Sequence, residues 1–131
     1  MADQTCRQLQ ENVGKCLGRH KSVLDVMSKL QEASARANRA LAKAVTSCGC
    51  IKVAAEKQTV PRDAGYRDLA RHMRSHVEGE LCDGCRETLE SEIGHLLLYL
   101  AGMCEVLGMS LGDILERERD RLAALGPFYF C

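Results

Sequence analysis

Two cysteine pairs carry the strongest chemical signal in the sequence, Cys48-Gly49-Cys50 and Cys82-Asp83-Gly84-Cys85. Four thiolates are the usual tetrahedral donor set of structural zinc, and they also hold iron–sulfur centres. Spacing sets a condition on the first pair. On an unbroken helix, residues two apart point about 200° apart, so Cys48 and Cys50 can share an ion only if Gly49 interrupts the helix. The second pair meets no such obstacle, because Asp83-Gly84 is turn chemistry and Cys85 falls at a helix start, where the dipole favours a thiolate. His72 and His76, four apart, are candidate substitute ligands. Two other readings stay open for the four cysteines: reduced thiols, with Cys48 the next position of an apolar seam, or a redox pair. Cys6, Cys16, Cys104 and Cys131 fall at packing or terminal positions and are read as structural.

A second set of candidates is carboxylate. Glu87, Glu90 and Glu92 precede an apolar run, and helical rotation puts Glu92 at the margin of a core stripe formed by Leu89, Leu96 and Leu100. Glu90 flanks the other side of that stripe, while Glu87 faces away. A carboxylate beside a core can coordinate Mg²⁺, which prefers oxygen ligands and often shares them with substrate phosphates. Acids in a first helical turn also complement the helix dipole, which is the purely structural reading. Arg67, Arg71 and Arg74 recur at helical spacing and offer planar donor forks to phosphate oxygens, against the alternative of a solvated basic face.

The stretch 89–101, which carries Glu92, Ile93, Gly94, His95 and Tyr99, and the stretch 107–115, with Gly108, Ser110 and Asp113, resemble the second half of the MazG-like, all-α nucleoside triphosphate pyrophosphohydrolases. The likeness covers roughly residues 86–122. It implies a dimeric helical bundle in which a Glu-x-x-Glu helix and a Glu-x-x-Asp helix hold Mg²⁺ on a nucleotide triphosphate. Glu92 matches the acid of the later helix, and His95 stands at the aspartate position. On the earlier helix Glu32 is in place and Ala35 occupies the second glutamate position. Imidazole suits zinc or other transition metals better than Mg²⁺. The resemblance therefore implies a divergent protein with degenerate or lost pyrophosphohydrolase activity, its ligands being Glu92, Glu32 and Glu90. The alternative is a non-catalytic helical module whose four cysteines hold zinc or an iron–sulfur centre, acting in assembly or sensing. The chain is also similar to small bacterial proteins that combine the cysteine pairs with this Glu-Ile-Gly helix.

Totals bound these options. At 131 residues the chain fits one domain, and 18 basic against 18 acidic residues give no overall field toward nucleic acid or an anionic membrane. The longest apolar stretch, 96–104, is far short of the roughly 20 residues that span a bilayer, and residues 1–4 lack the basic-then-apolar signal pattern. The expectation is a cytosolic protein whose eight cysteines stay reduced or bind metal.

The elements that must position these residues read as helices throughout, about five of them in a bundle with no strand-like alternation. Cys6, Leu9, Val13 and Leu17 make a first, short helix ending at Gly18. Ser22 and Asp25 form a capping-box-like start to a long helix. Its seam runs Val23, Met27, Leu30, Ser34, Ala37, Leu41, Ala44, Cys48, and Ala33, Ala37 and Ala40 allow close approach of a neighbour, in a bundle or a dimer. Pro61, Tyr66, Leu69, Ala70, Met73 and Val77 predict a third helix ending near Gly79. A fourth follows Cys85 and stops at Gly108, and a fifth, capped by Ser110, carries Leu111, Ile114, Leu115, Leu122 and Leu125. Phe128, Tyr129 and Phe130 are expected to pack on the bundle.

Overall fold

Apolar residues at helical spacing set the long elements of the protein, whose computed structural model describes residues 2–130. Helix α1 covers Ala2–Cys16, and α2 covers Val23–Lys43 and runs into a wide π-turn, Ala44–Cys48. Strand β1 is Ile51–Val53, α3 a single turn, Leu69–His72, and β2 is Val77–Gly79. Helix α4 spans Asp83–Leu107 and α5 spans Leu111–Leu125, followed by a 3-10 tail, Gly126–Phe130. The architecture is an all-α bundle with one small antiparallel hairpin.

The most extensive interface joins α2 to α4, and α1 packs across α4 and α5. One end of the α2–α4 pair closes on a core of Val13, Leu17, Val26, Ala101, Cys104 and Leu111, with Leu9, Leu98 and Met103 packed against it. Val26 is wholly buried. Gln10 fastens this end: its side-chain amide donates to the Met109 carbonyl at 2.7 Å and accepts from the Leu111 N–H at 2.9 Å. The α4–α5 turn uses Gly108 at φ 69, and the Ser110 hydroxyl accepts from Asp113 N–H at 3.2 Å, as the sequence signature predicts. Ser22 stands at the N-terminus of α2 but makes no side-chain cap bond, and Asp25 pairs with His20 instead.

The third helix is the main correction. Helix ends at His72, Met73 turns extended, and His76 takes a left-handed φ of 60. The reason lies in where the backbone finds partners. The Gln58 amide bonds both the N–H (3.0 Å) and the C=O (2.8 Å) of Arg74, and Val77–Gly79 then pairs with Ile51–Val53. Those tertiary bonds replace the helical ladder that the spacing of Met73 and Val77 suggested. His72 and His76 consequently do not share a helix face, and Arg67, Arg71 and Arg74 form no single stripe: Arg71 lies 3.9 Å from Asp68, and Arg74 pairs with Glu56. The aromatic tail packs in part: Phe128 stacks on Tyr66 at 5.0 Å between ring centres and Tyr129 donates to Glu118, while Phe130, 77% exposed, touches only the edge of Tyr129 and does not cover the bundle. Cys131 lies outside the described residues. Among these, no single helix is long and apolar enough to cross a membrane.

Candidate metal centre

Cys48 closes the π-turn that ends α2. The N–H of Gly49 returns to the Ala44 carbonyl at 2.9 Å, and Gly49 sits at φ 78, a left-handed conformation that a side chain would strain. The chain therefore reverses between Cys48 and Cys50 and meets the condition that helical geometry imposed on this pair. β1 starts directly after Cys50. Its register with β2, Ile51 opposite Gly79 and Val53 opposite Val77, carries the chain back beside Cys50 before Cys82 is reached. The two strands meet closely: a Cβ on Gly79 would stand 2.7 Å from the Cys50 carbonyl oxygen, and Gly79 has φ 86.

Cys82 then serves as the N-cap of α4, a position normally taken by an oxygen side chain. Its Sγ accepts from the Cys85 N–H at 3.4 Å, and its carbonyl accepts from Arg86 N–H at 2.9 Å. Cys85 follows in the first turn. The four sulfurs of Cys48, Cys50, Cys82 and Cys85 all lie within 4.8 Å of one another, with Cys48 and Cys82 at 3.8 Å. Four thiolates at about 2.3 Å from one ion stand roughly 3.8 Å apart, so the donor set fits a single tetrahedral ion with small side-chain adjustments.

Electrostatics within the cluster are uneven. The Cys85 backbone N–H, and then the Cys85 and Cys48 thiols, draw the Cys82 thiol down to about 7. The hydrogen bond to Cys82, with burial behind it, pushes Cys85 up to about 12. Cys82 is thus the first of this pair to become a thiolate, which is the form that binds metal. Cys48 and Cys82 face outward while Cys50 and Cys85 are half-buried, and a cavity of about 430 Å³ lined by Lys43, Ser47 and Thr88 opens beside the sulfurs. His72 and His76 stand outside this group. Cys6, Cys16 and Cys104 also lie elsewhere, Cys104 in the core, where burial raises its thiol.

The carboxylate candidates lie toward the middle of the α2–α4 interface. Glu32 and His95 line one cavity of about 190 Å³ with Lys29, Arg36 and Tyr99. His95 Nδ1 is 3.9 Å from Glu92, whose Oε2 is buried without a hydrogen-bond partner. Glu32 and Glu92 therefore sit on the same side of the helix pair. Glu32 is already engaged: Lys29 at 3.2 Å and Arg36 at 3.0 Å hold its carboxyl below the usual carboxylate range. Glu90 is exposed and does not line this cavity.

Sequence reasoning missed the strands and, with them, the buried Ile51 and the strand position of Gly79, which it took for a helix end. The signal was present in Ile51-Lys52-Val53 and Val77-Glu78-Gly79, but three residues are too few to display a two-residue period. No family model, curated protein or solved structure matches this chain.

Proposed function

We propose that the protein is a helical module in which Cys48, Cys50, Cys82 and Cys85 hold one zinc ion, tying the end of α2 to the start of α4, and that it acts in assembly or sensing. The convergence of four sulfurs within 4.8 Å carries this reading. A single ion suits that spacing better than an iron–sulfur cluster, where the four thiolates are divided among two or four irons and sulfurs on different irons stand further apart. Soft thiolate donors with no oxygen among them favour zinc or iron over Mg²⁺. Metal analysis of protein purified under reducing, anaerobic conditions tests the reading. The expected result is about one zinc per chain, lost in Cys82→Ser and Cys85→Ser. A metal-free protein whose melting is unchanged by both substitutions overturns it.

A second reading is favoured by the unpartnered Glu92 oxygen beside the Glu32 and His95 cavity: a divergent MazG-like protein with residual metal-dependent action on nucleotide triphosphates. Lys29 and Arg36 would meet phosphate, and Glu32, Glu92 and His95 would hold the cation. With two of the four family carboxylates replaced, charge neutralisation in the transition state is weakened by several kcal/mol, so turnover should be slow. Phosphate or pyrophosphate release from a nucleotide panel with Mg²⁺ or Mn²⁺ is the assay. No turnover, or turnover indifferent to Glu92→Ala, removes this reading.

A further inference from the structure

Each cysteine pair presents one outer and one inner sulfur. Cys48, at the end of the π-turn, and Cys82, the N-cap of α4, are exposed, while Cys50 and Cys85 are half-buried. The inner Cys50 thiol is turned back to donate to the Ala44 carbonyl at 3.8 Å. The two outer sulfurs belong to different elements and stand 3.8 Å apart, which leaves about 1.8 Å to close before the roughly 2.0 Å of a disulfide bond. The cavity of about 430 Å³ gives a small molecule a way to them, since Cys48 and Cys82 border it and its wall includes only short side chains at Ala40, Ala44 and Gly84.

Local sequence favours another pairing. Cys-x-x-Cys at a helix start is the usual redox motif, which points to Cys82 with Cys85. A bridge there, or one between Cys48 and Cys50 across Gly49, joins residues of a single segment and leaves the end of α2 unlinked to the start of α4. A bridge between Cys48 and Cys82 instead joins the two elements that the ion would join.

We infer, resting on the zinc reading above, that this is a zinc site emptied by oxidation: a small organic disulfide converts Cys48 and Cys82 to a disulfide, the ion departs, and α2 stays tied to α4. The exchange takes two steps. One outer thiolate attacks a sulfur of the small disulfide, forming a mixed disulfide and expelling one small thiolate. The other outer thiolate then attacks the protein sulfur of that mixed disulfide, which closes the bond between Cys48 and Cys82 and expels the second small thiolate. Two electrons thereby pass from the protein to the small disulfide, whose two thiolates take their protons from solvent. Zinc is left with Cys50 and Cys85, too few ligands for a closed tetrahedral site. The new covalent link also confines the unfolded chain, so oxidation removes the ion and keeps the restraint. Chelation of the reduced protein removes both. The module thus answers an oxidant by giving up zinc with its fold intact, which makes oxidant sensing the specific form of its role.

Treatment of the zinc-loaded full chain with oxidised glutathione tests the inference. Released zinc is read with a chromophoric chelator, the bridge by peptide mapping, and the restraint by hydrogen exchange in β1, β2 and the first turns of α4. The expected result is full release of zinc, a link between Cys48 and Cys82, and exchange within about three-fold of the zinc form, against acceleration of more than about ten-fold after chelation of the reduced protein. Cys16→Ser, which removes an exposed thiol outside the cluster, should leave all three unchanged. A bridge between Cys82 and Cys85 or between Cys48 and Cys50, zinc retained by the bridged chain, or exchange as fast as after chelation overturns the inference. Zinc content before oxidation tests the metal reading alone, and the bridge is mapped in metal-free chain as well, so each can fail without the other.

Discussion

The two ends of the α2–α4 pair are held by different means. At the α5 end, residues from four segments bury one another and Gln10 bridges α1 to the turn. At the cysteine end, Ala44 and Ile51 are buried, while Cys48, Cys82, Lys52, Val53 and the whole of β2 remain exposed. The first end gains stability from area removed from water, distributed over many contacts. The second has little such area, and its cohesion rests on a few backbone hydrogen bonds and four convergent sulfurs. One end should therefore tolerate loss of any single contact in graded fashion, and the other should depend on a single centre.

Three outcomes would sharpen that contrast or break it. If the four cysteines hold zinc as proposed, removing it by chelation is expected to cost several kcal/mol, as binding energy at a site that does not preform is also folding energy. Hydrogen exchange should then accelerate in β1, β2 and the first turns of α4 while Ala101–Cys104 amides stay protected; uniform acceleration would mean that the two ends are one cooperative unit. Leu17→Ala, at a position 9% exposed, should destabilise by about 2–4 kcal/mol in denaturant melts and leave zinc content unchanged. Gly79→Ala should cost about 1–3 kcal/mol, through its positive φ and the collision with the Cys50 carbonyl, and should also weaken zinc retention against a chelator. Equal retention in Gly79→Ala and wild type would detach the hairpin from the sulfur site.

The smallest effect is one of pH. Affinity for the proposed zinc should fall as pH is lowered, because protons compete for the thiolates. With the Cys82 thiol near 7, the dependence should steepen by about one proton below that pH, as the metal-free protein gains a proton there that the ion must displace. Titration of zinc binding at several pH values reads this slope directly, and a slope unchanged across pH 7 would contradict the donation from Cys85 N–H to Cys82.

The long helices were legible in the sequence because burial dictates their period, but the buried face was only partly so. Of the seam read on α2, Val23, Met27, Leu41 and Cys48 are exposed and Ala44 is buried, while Val26 and Ala33, off that seam, are buried; on α5, Leu115, Leu122 and Leu125 are exposed. Gly49, Gly108 and Ser110 were legible because helix ends demand particular backbone or cap chemistry, and so the reversal that unites Cys48 with Cys50 could be stated as a condition before it was seen. The interval 54–76 was legible only over its helical turns, Tyr66–Asp68 and Leu69–His72. There the decisive partner of Arg74 is Gln58, a contact that no local period announces, and it outweighed the helical spacing of Met73 and Val77. The carboxylate pattern brought Glu32 and Glu92 to one side of the helix pair, but the cations that occupy Glu32 were invisible as such, since Lys29 and Arg36 read equally well as ordinary surface charges.

Cys48 and Cys82 stand 34 positions apart in the chain and 3.8 Å apart at sulfur. Between them lie the two strands, α3 and the connecting segment 54–65, whose ends the strand pair and the Gln58–Arg74 bonds already hold near one another: doubling that segment would cost only about 0.6 kcal/mol in closure entropy. The segment around Pro61 is thus where insertions, tags or grafted recognition sequences should be accommodated, a region free to diversify while the frame stays constant.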